Sequence, residues 1–263
     1  MLSLLKRVLG KGIYETKAYN LFLFVFRNKA YQTKLNEHNF YRSITKELPT
    51  GLAFDIGANN GGKTSHFSKI FKKTIACEPS KNLCVFLNNR FKKITGVQIV
   101  NKAVSNQNGS SVFYEFSDGN AYNTLSPKWV TVLISPNKFR GNIPDELPPS
   151  EVQTETVTLD KLTDSFGFPD FIKIDVEGHE LSVIEGMSFA PALISIECNL
   201  PIFKDETISC INRLILLSPT YRFNFSISEP PESFVLEEWC NKDELLSILN
   251  ADKYKFMEIF AKQ

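Results

Sequence analysis

Long apolar runs, paired cysteines and a one-sided charge are all missing from this 263-residue chain. Its most apolar stretch, Leu21-Phe22-Leu23-Phe24-Val25-Phe26, is too short to cross a bilayer, and the first residues lack a small-residue cleavage pattern. The chain is therefore expected to be soluble, unprocessed and cytoplasmic. The five cysteines (Cys77, Cys84, Cys198, Cys210 and Cys240) are odd in number and contain no Cys-x-x-Cys pair. That spacing implies no zinc site and predicts reduced thiols that act as small hydrophobes. A formal net charge of +1 gives no global argument for nucleic acid, and none is expected as a partner. Neither a repeat nor an internal linker divides the sequence.

What is present suits one α/β domain with additions. Hydrophobic content of 43% and charged content of 22% are ordinary for a globular protein. The charge is unevenly spread: residues 1–50 hold nine Lys/Arg against three Asp/Glu, which leaves 21 basic and 26 acidic residues for the remainder. Within residues 1–48, Leu2, Leu5, Val8 and Leu9, then Tyr19, Phe22, Leu23 and Phe26, alternate with Lys and Arg. This predicts one or two amphipathic helices lying over the domain, with peripheral contact to an anionic membrane as the alternative use.

The domain, residues 49–263, is organised around Leu52-Ala53-Phe54-Asp55-Ile56-Gly57-Ala58-Asn59-Asn60-Gly61-Gly62, an apolar strand that runs into a turn of small residues. Gly57 and Gly61 let the backbone take left-handed angles and approach a ligand closely. Phe67, Ile70 and Phe71 follow at helical spacing, so the turn opens a helix whose free N–H groups face the same ligand. The spacing Asp55-x-Gly57-x-Asn59-x-Gly61 meets the dinucleotide fingerprint only in part. Thr74-Ile75-Ala76-Cys77-Glu78-Pro79 reads as a second strand ending in a carboxylate that can accept ribose hydroxyls. An acid before the glycines and another after strand two suit S-adenosylmethionine, whose cationic end and ribose both need acceptors.

Strands and helices then alternate as an open parallel sheet requires. Leu83, Phe86, Leu87 and Phe91 mark a helix, and Val97–Val100 a third strand whose exit, through Ala103 and Val104, is placed for adenine. Around 118–150, after the strand-like Ser111–Phe116, dense proline excludes long helices and central strands and predicts an insertion over the carboxyl face of the sheet. Val152–Leu159 is strand-like and Asp160–Phe166 a short helix. Phe171–Val176 reads as a strand buried on both faces, Leu193–Glu197 as another. A helix over Glu206–Leu217, a strand at Tyr221–Ile227, a helix at Asp243–Leu249 and a strand at Tyr254–Phe260 complete the chain.

Asp175, Glu177, His179 and Glu180 leave the Phe171–Val176 strand within six residues, on the edge that carries the glycine turn. Three uses compete. His179 is a candidate general base oriented by Asp175 or Glu177; Asp175, Glu177 and His179 have the ligand types for a divalent metal, though their close spacing favours no metal; and the carboxylates suit the N-terminus of the next helix. Glu197 ends its strand on the same edge, and His66 is read as a surface or packing residue.

The motifs Phe54-Asp55-Ile56-Gly57-Ala58-Asn59-Asn60-Gly61, Cys77-Glu78-Pro79, Asn101-Lys102-Ala103-Val104-Ser105, Ile172-Lys173-Ile174-Asp175-Val176-Glu177-Gly178-His179-Glu180 and Ile196-Glu197 together resemble the FkbM family of S-adenosylmethionine-dependent methyltransferases. The resemblance covers about residues 50–200. It implies a class I methyltransferase fold, a Rossmann-like, mostly parallel seven-stranded sheet with helices on both faces. It also implies methyl transfer, usually to a hydroxyl oxygen of a sugar, glycan or natural-product acceptor. Carried over by position, Asp55, Gly57, Ala58, Asn59 and Gly61 would hold the methionine end of the cofactor, Glu78 and Pro79 the ribose, and Ala103 and Val104 the adenine, with Asp175 bordering both ligands. Asn123-Thr124-Leu125 matches a short acceptor-side segment loosely. The competing readings are a nucleotide-dependent oxidoreductase or sugar-nucleotide transferase on the same sheet, and a non-catalytic cofactor-binding module.

Overall fold

A computed structural model describes residues 14–116, 120–135 and 148–263. Leu2, Leu5, Val8 and Leu9 of the expected arm, and Pro136 and Pro144 of the insertion, lie outside the described residues.

Two helices come first, α1 (Lys17–Phe26) and α2 (Asn28–Ile44). The domain then runs β1 (Leu52–Ile56), α3 (Gly62–Ile70), β2 (Lys73–Cys77), α4 (Lys81–Phe91), β3 (Val97–Val100), β4 (Ala103–Val104) and β5 (Gly109–Glu115). It continues with α5 (Pro127–Ile134), β6 (Ser150–Val157), α6 (Leu159–Phe166), β7 (Phe171–Ile174), α7 (Glu180–Glu185) and β8 (Leu193–Asn199), and closes with α8 (Lys204–Leu217), β9 (Arg222–Ser226), α9 (Lys242–Asn250) and β10 (Phe256–Lys262).

Seven strands form one sheet in the order β3-β2-β1-β7-β8-β10-β9; β10 runs antiparallel to both neighbours and every other pair is parallel. This is the expected class I architecture. The last strand lies two residues later than its apolar pattern suggested, because Met257, Ile259 and Ala261 pack on one face of the sheet and Phe260 on the other. The exit of β3 also divides: β4 leaves the main sheet and joins β6 and β5 in a separate three-stranded sheet.

Strand alternation sends each side chain of β1 and β7 to a defined face. Phe54, Ile56, Ile172, Ile174, Ile194 and Ile196 build the larger core on one side, and Ala53, Phe171, Leu193 and Phe260 meet Phe67 and Phe71 of the α3 region on the other. Helix α2 closes that second face, with Glu37, Phe40 and Tyr41 turned inward at i, i+3 and i+4. Tyr41 packs edge-on to Phe67 at 5.0 Å between ring centres. The second face also carries a polar row, since the register pairs Asp55 with Lys173, Lys173 with Ser195, and Glu197 with Glu258. All five are buried, and Tyr41 Oη donates to Glu258 Oε1 at 3.4 Å above them.

Among its described residues the proline-rich insertion contains the eight-residue helix α5. Ser126 caps it by accepting the Trp129 N–H at 3.2 Å, and Pro127 occupies the first turn, where a missing N–H leaves nothing unpaired. Trp129 is buried against Phe203, with ring centres 5.7 Å apart. All five cysteines are unpaired and buried, and among the described residues no helix is long and apolar enough to cross a membrane.

Candidate functional site

β1, β2 and β7 end on the same edge, and the loops leaving them enclose a cavity of about 390 Å³. One wall is the turn after β1. The Gly57 and Ala58 N–H groups both donate to Cys77 O at 3.0 Å, tying the turn to the end of β2. Gly57 has φ +83°, and a Cβ there would stand 1.7 Å from Asp175 O, so the turn passes directly against the chain leaving β7. Asn59, also left-handed at φ 46°, lines the cavity, and its Oδ1 is buried without a hydrogen-bond partner. Such an acceptor suits a ligand donor.

Glu78 forms the next wall. Its Oε2 accepts the Asn59 N–H at 2.8 Å and its Oε1 the Ser80 N–H at 2.9 Å, leaving a further lone pair on each oxygen. Burial pushes its carboxyl up to about 7 against the pull of those two donors. The Asn101 side chain donates to Glu78 O at 3.0 Å and Pro79 O at 2.9 Å, so the β3 exit fixes the β2 exit. Pro79, Leu83, Ala103, Val104, Phe113 and Leu125 supply an apolar slot beside Glu78.

Two of the expected cofactor residues lie off the cavity wall. Asp55 is buried beneath the turn, accepting from Thr64 Oγ1 at 2.5 Å, and burial raises its carboxyl to about 6. It acts on the first turn of α3, not on the cavity. Gly61 opens α3 at φ 78°, and a Cβ there would meet Leu87 and Phe91 within 2.7 Å. His66 is likewise absent from the wall: it is buried, with Nε2 3.1 Å from Glu37 Oε2.

Asp175, Glu177 and His179 all line the cavity. Glu177 (φ 53°) and Gly178 (φ 89°) are left-handed, a conformation that costs about 1 kcal/mol or more for a non-glycine residue and persists only where neighbours impose it. Here Glu180 Oε1 accepts the Val176 and Gly178 N–H groups, each at 3.1 Å, and Thr124 Oγ1 donates to Glu177 O at 2.8 Å. Glu180 therefore has the structural use, and the insertion, through Asn120–Leu125, reaches the wall of the site.

His179 Nε2 lies 2.9 Å from Ser105 Oγ. Burial lowers the imidazole to about 4, opposed by Glu185, so the ring is neutral throughout the neutral range. One oxygen each of Asp175, Glu177 and Glu197 fall within 4.8 Å of one another, so the divalent-cation grouping takes Glu197 in place of His179. Positive charge at this cluster already comes from Lys173, fully buried, whose Nζ is 3.2 Å from Asp175 Oδ2 and 3.8 Å from Glu258 Oε1. Burial opposes that charge, yet Asp175, Glu258, Glu197 and Asp55 outweigh it and hold the ammonium well above the usual lysine range. Burial, reinforced by Asp175, raises Glu197 well above the carboxylate range.

Lys173, Ser105 and Glu37 join the site through the fold and not through any spacing expected to bring them there. Glu37 carried a signal, an acid in register with Phe40 and Tyr41 on an apolar helix face. Lys173 carried none beyond its place in a strand expected to be buried on both sides.

A family model described as the methyltransferase FkbM domain matches residues 55–223. No curated protein sequence matches the chain. Similar solved structures include a precorrin-6Y C5,15-methyltransferase from Geobacter metallireducens, at 11% identity over 86% of each chain and a TM-score of 0.43. A TehB-like SAM-dependent methyltransferase from Corynebacterium glutamicum shares 10% identity over 94% of this chain and 100% of its own, at a TM-score of 0.42. An rRNA methylase from Streptococcus thermophilus shares 7% over 89% and 95%, at 0.41.

Proposed function

The chain belongs to the FkbM family of S-adenosylmethionine-dependent methyltransferases, and from that premise we propose that it methylates a hydroxyl oxygen of a sugar, glycan or natural-product acceptor. The observation that carries the reading is the single cavity in which the Gly57–Asn59 turn, Glu78 and the Asp175–His179 cluster meet. The cofactor fits this wall: the turn approaches without side-chain obstruction, Asn59 Oδ1 awaits a donor, and Glu78 has lone pairs for both ribose hydroxyls. Bound there, S-adenosylmethionine supplies an electrophilic methyl, which leaves the protein to orient the acceptor and take its proton.

Glu78 makes cofactor affinity depend on pH. Accepting ribose hydroxyls favours the carboxylate, so a group raised to about 7 in the free protein must lose its proton on binding. S-adenosylhomocysteine is expected to bind roughly tenfold more tightly at pH 8 than at pH 6, because ionisation of the free group rises from about a tenth to about nine tenths over that range. In Glu78→Gln, calorimetry should show weaker and pH-independent binding; an unchanged pH slope would remove Glu78 from the site.

Asp175 and Glu177 orient acceptor hydroxyls, and His179 accepts the proton. With Nε2–H donating to Ser105 Oγ, Nδ1 is the free acceptor. His179→Ala is expected to lower kcat by about 10²-fold or more while S-adenosylhomocysteine affinity stays within about threefold. Because the ring titrates at about 4, wild-type kcat should be flat through neutral pH and fall only on the acid side. The test is transfer of labelled methyl from S-adenosylmethionine to a panel of sugars and polyols, with the product examined for a methyl ether. Methyl recovered on nitrogen or carbon overturns O-methylation, and an unimpaired His179→Ala removes the base.

A further inference from the structure

We propose that α1 is an interfacial helix that docks the protein on an anionic lipid bilayer. The first observation is geometric. Leu23 of α1 is buried, and Lys17, Leu21, Phe24 and Val25 form the opposite stripe at i, i+4, i+7 and i+8, all exposed. Phe26 at the helix end is exposed too, so four large apolar side chains of a ten-residue helix, Leu21, Phe24, Val25 and Phe26, are exposed. Phe24 leans on Tyr31 of α2, ring centres 5.4 Å apart, which keeps the stripe in place. A contiguous exposed apolar stripe marks an interaction face.

Charge selects the occupant. Helix α1 contains no acid, and Lys17, Arg27 and Lys29 at its two ends are exposed. The acids that flank it in sequence are both turned into the domain. Glu15 accepts from Arg90 Nε at 2.9 Å and Nη2 at 2.6 Å and from Ser65 Oγ at 2.6 Å. Glu37 accepts from Lys63 Nζ at 2.6 Å and pairs with His66, which outweigh burial and hold its carboxyl at about 2. Two of the three acids of residues 1–50 are thus paired with cations of the domain, while Lys17, Arg27 and Lys29 stay exposed. An apolar face rimmed by cations, with its acids withdrawn, is complementary to lipid headgroups of negative charge and to the acyl boundary beneath them.

The same end of α1 borders the site. Phe26, Arg27 and Lys29 share a groove with Glu37 and Pro230, both of which also line the cofactor cavity. Docking therefore brings the mouth of the cavity to the bilayer surface. Lipid binding needs neither cofactor nor acceptor, so this inference stands apart from the methyl-transfer reading.

The test is co-sedimentation of the full chain with phosphatidylcholine vesicles and with vesicles that also contain phosphatidylglycerol. Wild type should partition onto the anionic vesicles at least about tenfold better, as a few cations worth about 1 kcal/mol each require, and raised salt should reduce the difference. The double variant Phe24→Glu/Val25→Glu should lose vesicle binding by a similar factor while retaining its melting temperature and S-adenosylhomocysteine affinity. Failure of wild type to sediment with anionic vesicles, or equal binding by the double variant, would overturn the proposal. So would light scattering that shows a dimer which the double variant converts to monomer, since the stripe would then be covered by a second copy.

Discussion

Lys173→Met should lower the unfolding free energy by about 3–5 kcal/mol, the range measured when one member of a buried charge cluster is removed and its partners stay behind. Lys173 is wholly buried at the centre of the sheet, opposite Asp55 in β1 and Ser195 in β8. Its ammonium is the positive group at 3.2 Å from Asp175 and 3.8 Å from Glu258, and it also offsets Glu197 and Asp55. Methionine fills most of the volume and keeps the strand apolar, so the loss reports charge and not a cavity. The pH dependence gives the sign. Asp55 already titrates at about 6 and Glu197 well above the carboxylate range because burial disfavours their charged forms. A carboxyl raised on folding stabilises the fold when protonated and loses that contribution as pH rises through its folded value. Removing the ammonium raises these carboxyls further, so the variant should be more impaired at pH 8 than at pH 5. Urea denaturation at both values measures this, and a variant within about 1 kcal/mol of wild type at pH 8 would mean that the carboxylates do not depend on Lys173.

Gly57→Ala should be nearly as damaging, for a steric reason. The added Cβ would sit 1.7 Å from Asp175 O, and the residue would be held at φ +83°, where alanine is strained. Neither partner can retreat easily, because the Asp175 N–H donates to Ile56 O at 3.0 Å and the Gly57 N–H to Cys77 O at 3.0 Å. Relief requires β1 and β7 to part at the edge that forms the cavity. About 3 kcal/mol of stability and about 100-fold in S-adenosylhomocysteine affinity should be lost. Gly62→Ala is the internal control: a Cβ there meets nothing nearer than Asn60 Oδ1 at 3.5 Å, and the position is helical, so the melting temperature should hold or rise slightly. Equal melting temperatures for Gly57→Ala and wild type would contradict the close approach of the two strands.

The main sheet was legible because β1, β7 and β8 are mostly apolar, buried on both faces, and punctuated by glycine, proline or acid at their exits. Such strands announce themselves without knowledge of their partners. Glu78, Ala103 and Val104 could be placed for the same reason: a strand exit is a local feature, and the crevice rule carries it to the ligand. What stayed hidden depends on register and on distant loops. That Lys173 faces Asp55 and not the apolar core follows from which residues pair across three strands, and no spacing within one strand reveals it. The turn of Glu15 and Glu37 toward Arg90 and Lys63 joins residues far apart in the chain. Helix α5 is a different case: Ser126 before Pro127 is a local helix-start signal, and it is masked by the density of proline around it, which excludes only long helices. Asp55 shows the limit of positional transfer, since the acid stands where the motif has it and yet bonds Thr64 beneath the turn.

The antiparallel strand has a consequence for how the molecule is made. β10 lies between β8 and β9 although it follows both in the chain. During synthesis β9 therefore emerges before the strand that separates it from β8; Phe223 can pair with Cys240 on one edge, but the other edge of β9 and the facing edge of β8 stay open until residues 256–262 have left the ribosome. An apolar strand edge left waiting in this way is a template for pairing with another nascent chain. The interval between the emergence of β8 and that of β10 is thus the stage at which this edge is open to a wrong partner.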